Sequence, residues 1–463
     1  MTKKRKRQNH NHKIDTLKYR AVESDSMRRP IYISAKSEDR ELMPRDRQAL
    51  VSEARDALRN FTLAGFVLRK HLQSISYYRF FAGTPDPNFN AELERRVNRW
   101  KKRKNCDAAG RHGFETLLYL IESHRAIDGD VGIYRLSNGR LQIVEGDRIR
   151  NPLGDEYAED WAHGVRVNNY GKALAYSIWQ RTNAGTFEHE RFVSASNFDL
   201  LGYYTRNDQI RGVSLMAPAS RMFAQLYDSL DLALSKIKTE QAIALITHLN
   251  GNSALGSSSM TDAEIDNKAM DVFGPGILHL GLQAGEDATI LESNNPSSNF
   301  QTFIESVIRL VFAAFDIPYS FYDGSAATFF SQRGEFEQYI DGIEKKQAPT
   351  IEMLGEWISD WLIPNWMADA DDPLLIPNGW TIDDIMKDCG WSGAGLPTWR
   401  IFQHVKEMIS AIQGGLISPT EAIREYGFDV KKNLDDLAEL KEYAQEKGVS
   451  LPYGDPTTTN LGL

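Results

Sequence analysis

His124, Asp128 and Asp130 are the residues of this chain best placed for chemistry. One imidazole and two carboxylates in a short stretch could gather a divalent cation and activate water for phosphodiester cleavage, as a metal-dependent nuclease does. They lack the ligand spacing of a calcium loop and the paired histidines of a zinc enzyme, and Asp128-Gly-Asp-Val-Gly reads more simply as turn chemistry. A second acidic cluster, Asp369, Asp371 and Asp372, reads as a solvated loop. Gly251-Asn-Ser-Ala-Leu-Gly256-Ser257-Ser258 has the glycine spacing of a phosphate loop. It lacks the lysine that would clamp the β and γ phosphates, and no strand precedes it. There is no nucleophile elbow and no kinase motif set. No catalytic residue, metal ligand or cofactor is expected.

Composition narrows the classes further. The chain has 463 residues, 41% hydrophobic and 25% charged, which fits two or three globular domains with a substantial core. Cys106 and Cys389 are the only cysteines, too few for a disulfide framework and outside any zinc-like cluster, so a reducing compartment fits. No apolar run approaches the roughly 18 to 20 residues of a membrane span, and Met-Thr-Lys-Lys-Arg-Lys-Arg at the start lacks a signal peptide's apolar stretch. No membrane contact is expected. A net charge of −9 argues against gripping nucleic acid over the whole surface.

Such sparse chemistry turns attention to the elements. Residues 1–44 form a basic arm through Lys3-Lys4-Arg5-Lys6-Arg7. Leu50, Ala54, Ala57, Leu58, Phe61 and Leu63 predict a helix over 45–69, a second charged helix over 90–104 ends in Trp100-Lys-Lys-Arg-Lys, and a third starts at Phe114. The basic end of the second reads as a solvated terminus. Residues 127–211 change to alternating runs broken by Ser137-Asn-Gly, Asn168-Asn-Tyr-Gly and Asn183-Ala-Gly, the signals of antiparallel hairpins. From Pro218 a helical pattern runs through Leu249, about 30 residues or roughly 45 Å. Two strand-like pieces, 276–280 and 288–292, then separate it from an apolar helix over 299–315.

That helix leads into Asp316-Ile-Pro318, a small-residue loop Asp323-Gly-Ser-Ala-Ala-Thr328, and a long helix from about Phe330 that Gly342 and Pro349 should bend. Further helices over 399–412, 418–426 and 434–447 precede a polar tail.

At Gln209-Ile-Arg-Gly-Val-Ser-Leu-Met-Ala-Pro218 the chain resembles the Gln-x-Arg-Gly-Val-x-x-Leu-Ala-Pro signature of lambda-type tailed-phage portal proteins. Trp100 to Phe114, with Cys106-Asp107-x-x-Gly110, is similar to that family's Trp…Cys-Asp-x-x-Gly…Phe segment. Gly164-Val-Arg-Val-Asn-Asn-Tyr-Gly-Lys-Ala-Leu-Ala-Tyr176 resembles its Gly-Val hairpin, and Phe315-Asp-Ile-Pro-Tyr319 its Phe-Gly-Ile-Pro-Tyr. Order and spacing agree over about 60–450. Thr328-Phe-Phe-Ser-Gln-Arg333 keeps only an aromatic, Ser331 and Arg333 of the usual Asn-Tyr-Ser-Ser-x-Arg, and Arg400-Ile-Phe-Gln replaces an expected Asp-Pro.

The resemblance implies an α+β portal fold: a wing of helices and antiparallel β, a two-helix stem, a small β-containing clip, a long kinked helix and a helical C-terminal crown. The implied divisions are wing 45–217, wing helix and first stem helix 218–249, clip 250–297, second stem helix 298–315, tunnel loop 316–332, long kinked helix 333–365, and C-terminal wing and crown 366–463. It also implies a non-enzymatic dodecameric ring, the head-tail connector at one capsid vertex, conducting double-stranded DNA in packaging and ejection. Its partners would be the major capsid protein, terminase and a head-tail adaptor, and its location the virion, with assembly in the host cytoplasm. Tyr319, Asp323, Gly324, Ser325, Ala326, Ala327 and Thr328 would face the channel, Lys236 and Lys238 would offer channel cations or intersubunit ion pairs, and Arg211, Gly212, Pro318, Ser331 and Arg333 would be structural motif residues. A metal-dependent nuclease and a monomeric head-completion or scaffolding factor stand as alternatives.

Overall fold

The computed structural model describes residues 42–153, 161–242, 245–249, 286–290, 298–325, 328–393, 401–425 and 430–449. The basic cluster Lys3 to Arg7, the strand expected over 276–280, and Ala326 and Ala327 lie outside them. Helices α1 (Pro44–Asn60) and α2 (Thr62–Ile75) replace the single helix expected over 45–69. The break is Phe61, extended at φ −113°, whose ring stacks on Tyr227 at 4.4 Å while the Leu63 N–H donates to the Tyr227 hydroxyl. Docking an aromatic on a distant helix outweighs continuity of the local pattern.

Next come β1 (Tyr78–Ala82), α3 (Pro87–Trp100, capped by the Asp86 carboxylate), the turn α4 (Arg103–Cys106) and α5 (Phe114–Asp128). Strands follow: β2 (Asp130–Arg135), β3 (Leu141–Glu145), β4 (Trp161–Ala162), β5 (Val165–Val167), β6 (Ala173–Arg181), β7 (Phe187–Ser194) and β8 (Phe198–Gly202), of which β2, β3, β5 and β6 lie on the alternating runs. They make two antiparallel sheets, β3-β2-β8 and β4-β5-β6-β7, joined where Arg150 N–H donates to the Ser177 carbonyl. Hairpin glycines Gly139, Gly171 and Gly185 all take positive φ, as the Asn-rich turns require.

Helix α6 (Ser220–Ala242) is shorter than expected. Instead of continuing to Leu249, the chain enters β9 (Leu245–Leu249), paired antiparallel with β10 (Glu286–Ile290). Leu245-Ile-Thr-His-Leu carries β-branched side chains that suit a paired strand at least as well as a helix. Helix α7 (Ser298–Ala314) then leads through the loop to α8 (Phe329–Trp357). Pro349 and Gly342 do not interrupt α8; the irregularity comes later, as a π-helical segment over Ile358–Leu362 before α9 (Ile363–Met367). There the Ile363 N–H donates to the Ile358 carbonyl, and Pro364 has no N–H to continue the tighter ladder. Helix α10 (Ile382–Asp388) and β11 (Cys389–Gly393) return the chain to the start, with β11 pairing with β1. Helices α11 (Ile401–Gln413), α12 (Pro419–Glu425) and α13 (Val430–Lys447) complete the described elements.

Three apolar clusters hold this together. Tyr78, Leu93, Trp100, Phe114, Trp357 and Trp391 join α3, α5 and α8 to the β1–β11 pair. Val67, Phe223, Phe312, Phe315 and Ile343 join α2, α6, α7 and α8. Val144, Ile149, Tyr176, Ile178 and Phe198 fill the space between the sheets.

Candidate functional site

The segment between α7 and α8 begins with a helix stop of defined geometry. The Ile317 N–H donates to the Phe312 carbonyl and the Asp316 N–H to the Ala313 carbonyl, both at 3.1 Å, while Asp316 stands at φ +56°. This is a Schellman motif with aspartate at the left-handed position that glycine usually fills. Buried Ile317 packs with Phe312 in the same apolar cluster. The related pattern Phe-Gly-Ile-Pro-Tyr has glycine at that very position.

Beyond Pro318, Tyr319–Phe321 form one 3-10 turn. The Tyr319 ring packs edge-on to Phe312, and the Arg309 guanidinium lies 4.7 Å from its centroid. Phe321 turns inward against Tyr339, centroids 5.0 Å apart. The Ser320 hydroxyl donates to Glu335 at 2.6 Å and the Gln332 amide donates to the Gly324 carbonyl at 3.2 Å, both from loop to α8. The Ser325 N–H donates to Asp323 at 2.9 Å; this bonding, with Arg309 nearby, holds the Asp323 carboxyl below its ordinary range. Thr328 caps α8 by accepting from the Ser331 N–H. The base of the loop is thus tied more firmly than its small residues suggest, and Tyr322, Asp323, Gly324, Ser325 and Thr328 are its exposed members.

Lys346, on α8, fixes the same base from below. Its Nζ donates to the Phe315 carbonyl at 3.0 Å and pairs with Asp316 at 2.9 Å. Close by, His71 is fully buried, with Nε2 3.1 Å from the Tyr203 hydroxyl and no partner at Nδ1. Burial pushes its imidazole down to about 3, and the Lys346 and Arg125 charges act in the same direction. Deeper between α5 and α8, Glu122 accepts from Thr350 at 2.6 Å and from Tyr78 at 3.2 Å and pairs with Arg125. Burial raises its carboxyl in spite of these donors.

Arg211 and Gly212 form a latch beside β2. The Arg211 fork grips both oxygens of Asp130 at 2.7 and 2.8 Å and donates to the carbonyls of Gly146, Ile149 and His163. The Gly212 N–H adds a third donor to Asp130, and Arg47 adds a fourth at 2.8 Å. Burial alone would push the Asp130 carboxyl up; Arg211 and Arg47 outweigh it and hold it below the usual range. A Cβ on Gly212 would collide with the Gly129 carbonyl oxygen, which explains why glycine must follow the arginine.

The two aspartates singled out for chemistry are held by other side chains. Asp130 is occupied by two arginines, while Asp128 takes a bidentate grip from Arg55 at 2.7 and 2.8 Å and a bond from His124 at 3.0 Å. Among the described residues no group of three His, Cys, Asp or Glu side chains is arranged to hold a metal ion. Lys236 and Lys238 are exposed on α6, Ser331 is exposed near the α8 start, and Arg333 pairs with Glu337 at 2.7 Å. Arg47, Lys346 and Arg309 escaped the sequence reading. Isolated cations on helices carry no spacing signal, although aspartate in place of the family's glycine at 316 hinted that a cation stood near. The β1–β11 pair was legible only as short alternations, Tyr78/Phe80/Ala82 and Cys389/Trp391.

A model of the lambda-family phage portal proteins matches residues 26–347. The chain therefore belongs to the lambda family of phage portal proteins, a structural family rather than an enzyme family. A probable portal protein of Halomonas phage phiHAP-1 is 23% identical over 414 residues, covering 82% of this chain and 75% of that protein. Among solved structures, the neck of an empty gene transfer agent particle with C6 symmetry has a TM-score of 0.54 at 13% identity, over 83% of this chain and 94% of that one. The native particle's neck with C12 symmetry gives 0.54 at 11%, over the same shares. At that identity the likeness is one of fold, a mixed helical and antiparallel portal architecture.

Proposed function

We propose that this chain assembles into a dodecameric ring at one capsid vertex and conducts double-stranded DNA during packaging and ejection. The observation that carries it is the family match, which spans the Arg211 latch and runs through α7 and the loop into α8. In this reading 45–217 is wing, 218–249 wing helix and first stem helix (ending in the strand β9), 250–297 clip, 298–315 second stem helix, 316–332 tunnel loop, 333–365 the long helix and 366–463 the C-terminal wing and crown. Exposed Leu232 and Leu234 on α6 and Phe303 and Leu310 on α7 support stem packing between subunits, because a lone protomer gains nothing by showing them to water. The sixfold and twelvefold symmetry of the structural neighbours supports ring closure.

Tyr319, Asp323, Gly324, Ser325, Ala326, Ala327 and Thr328 would meet the duplex, with Lys236 and Lys238 either facing the channel or pairing across subunits. A net charge of −9 suits passage, since a channel rich in cations would hold a duplex carrying one charge per about 1.7 Å. Terminase, the adaptor and the major capsid protein would dock on the clip and wing, and the ring would reside in the virion after assembly in the host cytoplasm. Negative-stain images of the purified protein test the core of this: rings with a central hole are expected, and a persistent monomer refutes it. Replacing Ala326 and Ala327 with tryptophan should leave rings assembled and impair packaging or retention of DNA; normal packaging would remove the loop from the channel.

A further inference from the structure

The basic end of α3 is a sequence feature the portal reading leaves unused. Its setting is more than a frayed helix terminus. The chain turns through Lys101-Lys-Arg-Lys104 and α4, and folds back so that the Phe114 N–H donates to the Lys101 carbonyl at 3.0 Å. Arg111 follows in the returning loop, its N–H donating to the Asp107 carboxylate at 2.7 Å. Asp107, the sole carboxylate of this loop, is buried and accepts from the backbone N–H groups of Ala109, Arg111 and His112, so its charge is spent on holding the loop's shape. Of the other acids on this side, Glu92 is taken by Arg95 and Arg96 and Asp372 by Arg95, Arg96 and Arg99, while the exposed Glu115 acts on Lys101. Lys102, Arg103, Lys104 and Arg111 are left exposed, with no ion pair among the described residues. Lys101 lies over Trp391 at 5.0 Å; burial there pulls its ammonium below the ordinary lysine value, and Arg79 adds to the effect.

The large apolar residues of this stretch, Trp100, Cys106 and Phe114, are all buried. A protein interface needs an apolar centre inside its polar rim. A phosphodiester backbone needs cations and little else. We infer that the Lys102-Arg103-Lys104-Arg111 surface is a sequence-independent binding site for duplex DNA phosphates, separate from the channel. The inference rests on the portal reading for the presence of duplex DNA beside the protein. Repeated around a ring, the site would form a belt of cations on an otherwise acidic assembly.

The test uses the full-length purified protein and a covalently closed DNA minicircle, which cannot thread a closed ring. Binding is followed by anisotropy across a salt series, for the parent, for K102Q/R103Q/K104Q/R111Q, and for a variant with Lys3, Lys4, Arg5, Lys6 and Arg7 changed to glutamine. All four substituted patch positions are exposed, and Lys101 is kept because it packs on Trp391. Each lost phosphate contact reduces the slope of log K against log salt by about 0.9, so the patch variant should be shallower by roughly 2 to 4. A parent-like slope in the patch variant, or loss of binding in the arm variant alone, overturns the proposal. So does a patch variant that binds the minicircle normally but has lost binding to poly-glutamate, since the surface would then serve an acidic protein. Negative-stain rings, scored on the same samples, separate the two ideas: patch-dependent binding by a monomer would sink the portal reading and leave the site standing.

Discussion

Replacing Arg211 with methionine would strip Asp130 of its bidentate partner and remove the donor that reaches the Gly146, Ile149 and His163 carbonyls. Asp130 and Arg211 are both essentially excluded from solvent. Removing one member of a buried, hydrogen-bonded ion pair costs about 4 kcal/mol, because the remaining charge stays out of water uncompensated. Two groups soften the loss here: the Gly212 N–H and Arg47 still reach Asp130. Three carbonyls lose a donor in the other direction, at about 1 kcal/mol or more each, so about 4 kcal/mol remains the central expectation. For a cooperative unit of about 200 residues that lowers the melting temperature by about 10 °C.

Circular dichroism melts of the parent and R211M measure it, and D130L with the double variant D130L/R211M completes the cycle. Removing the stranded carboxylate as well should restore part of the loss, because an apolar pair of similar volume tolerates burial. A shift below about 2 °C in R211M, or a double variant as damaged as the sum of its parts, would refute the claim that the pair is the latch.

Two further outcomes follow from the loop base and the buried histidine. Asp316→Gly should raise the urea midpoint by about 0.5 kcal/mol of stability, since glycine relieves the left-handed strain while the exposed Lys346 pair lost is worth less than 1 kcal/mol. Asp316→Ala keeps the strain and loses the pair, so it should fall below the parent; if both variants fall equally, the positive φ is not the governing factor. His71, neutral in the folded state down to about 3, binds a proton in the unfolded chain near the ordinary histidine value of 6.5. Its contribution is full above that value and is lost as pH falls from 6.5 toward 3, by about 1.4 kcal/mol per unit. His71→Phe should flatten this limb of the pH–stability curve, and an unchanged slope would assign the acid loss to other groups.

Hairpins were legible because their signals are local: Asn-Gly-type turns between alternating runs leave the chain few options, and β2, β3, β5 and β6 lie where those runs predict. The Arg211 signature was legible as a pattern, but its work was not, because Asp130 is distant in sequence and looked like half of a metal site beside His124. What hid the ion pairs is that arginine and aspartate read alike whether solvated or buried. The end of α6 and the break at Phe61 were misread for a related reason: tertiary partners, β10 in one case and Tyr227 in the other, override a helical period. The irregularity falls after Trp357, where Leu354 and Trp357 are fully buried, and not at Pro349, which lies on an exposed face of α8 that continues through it unbroken.

The two polar devices divide the labour between frame and loop. The latch at Arg211 joins both sheets to α5 and lies far in sequence from the loop, whereas the Lys346 clamp, the Ser320–Glu335 bond and the Gln332–Gly324 bond all run between the loop and α8. Any displacement of the first turns of α8 must therefore carry the loop with it, and a displacement of the loop alone must break those bonds. Ser325 and Thr328, the described residues on either side of the tip, are exposed and contribute no side chain to the frame's apolar clusters. A substitution at Ser325 would thus change what a duplex would meet without removing a side chain from those clusters, whereas one at Thr328 would also remove the cap of α8. A packaging defect in the Ala326 and Ala327 variants, with rings intact, would report on the contact itself, whereas a Lys346→Met defect would report on the coupling of loop to helix.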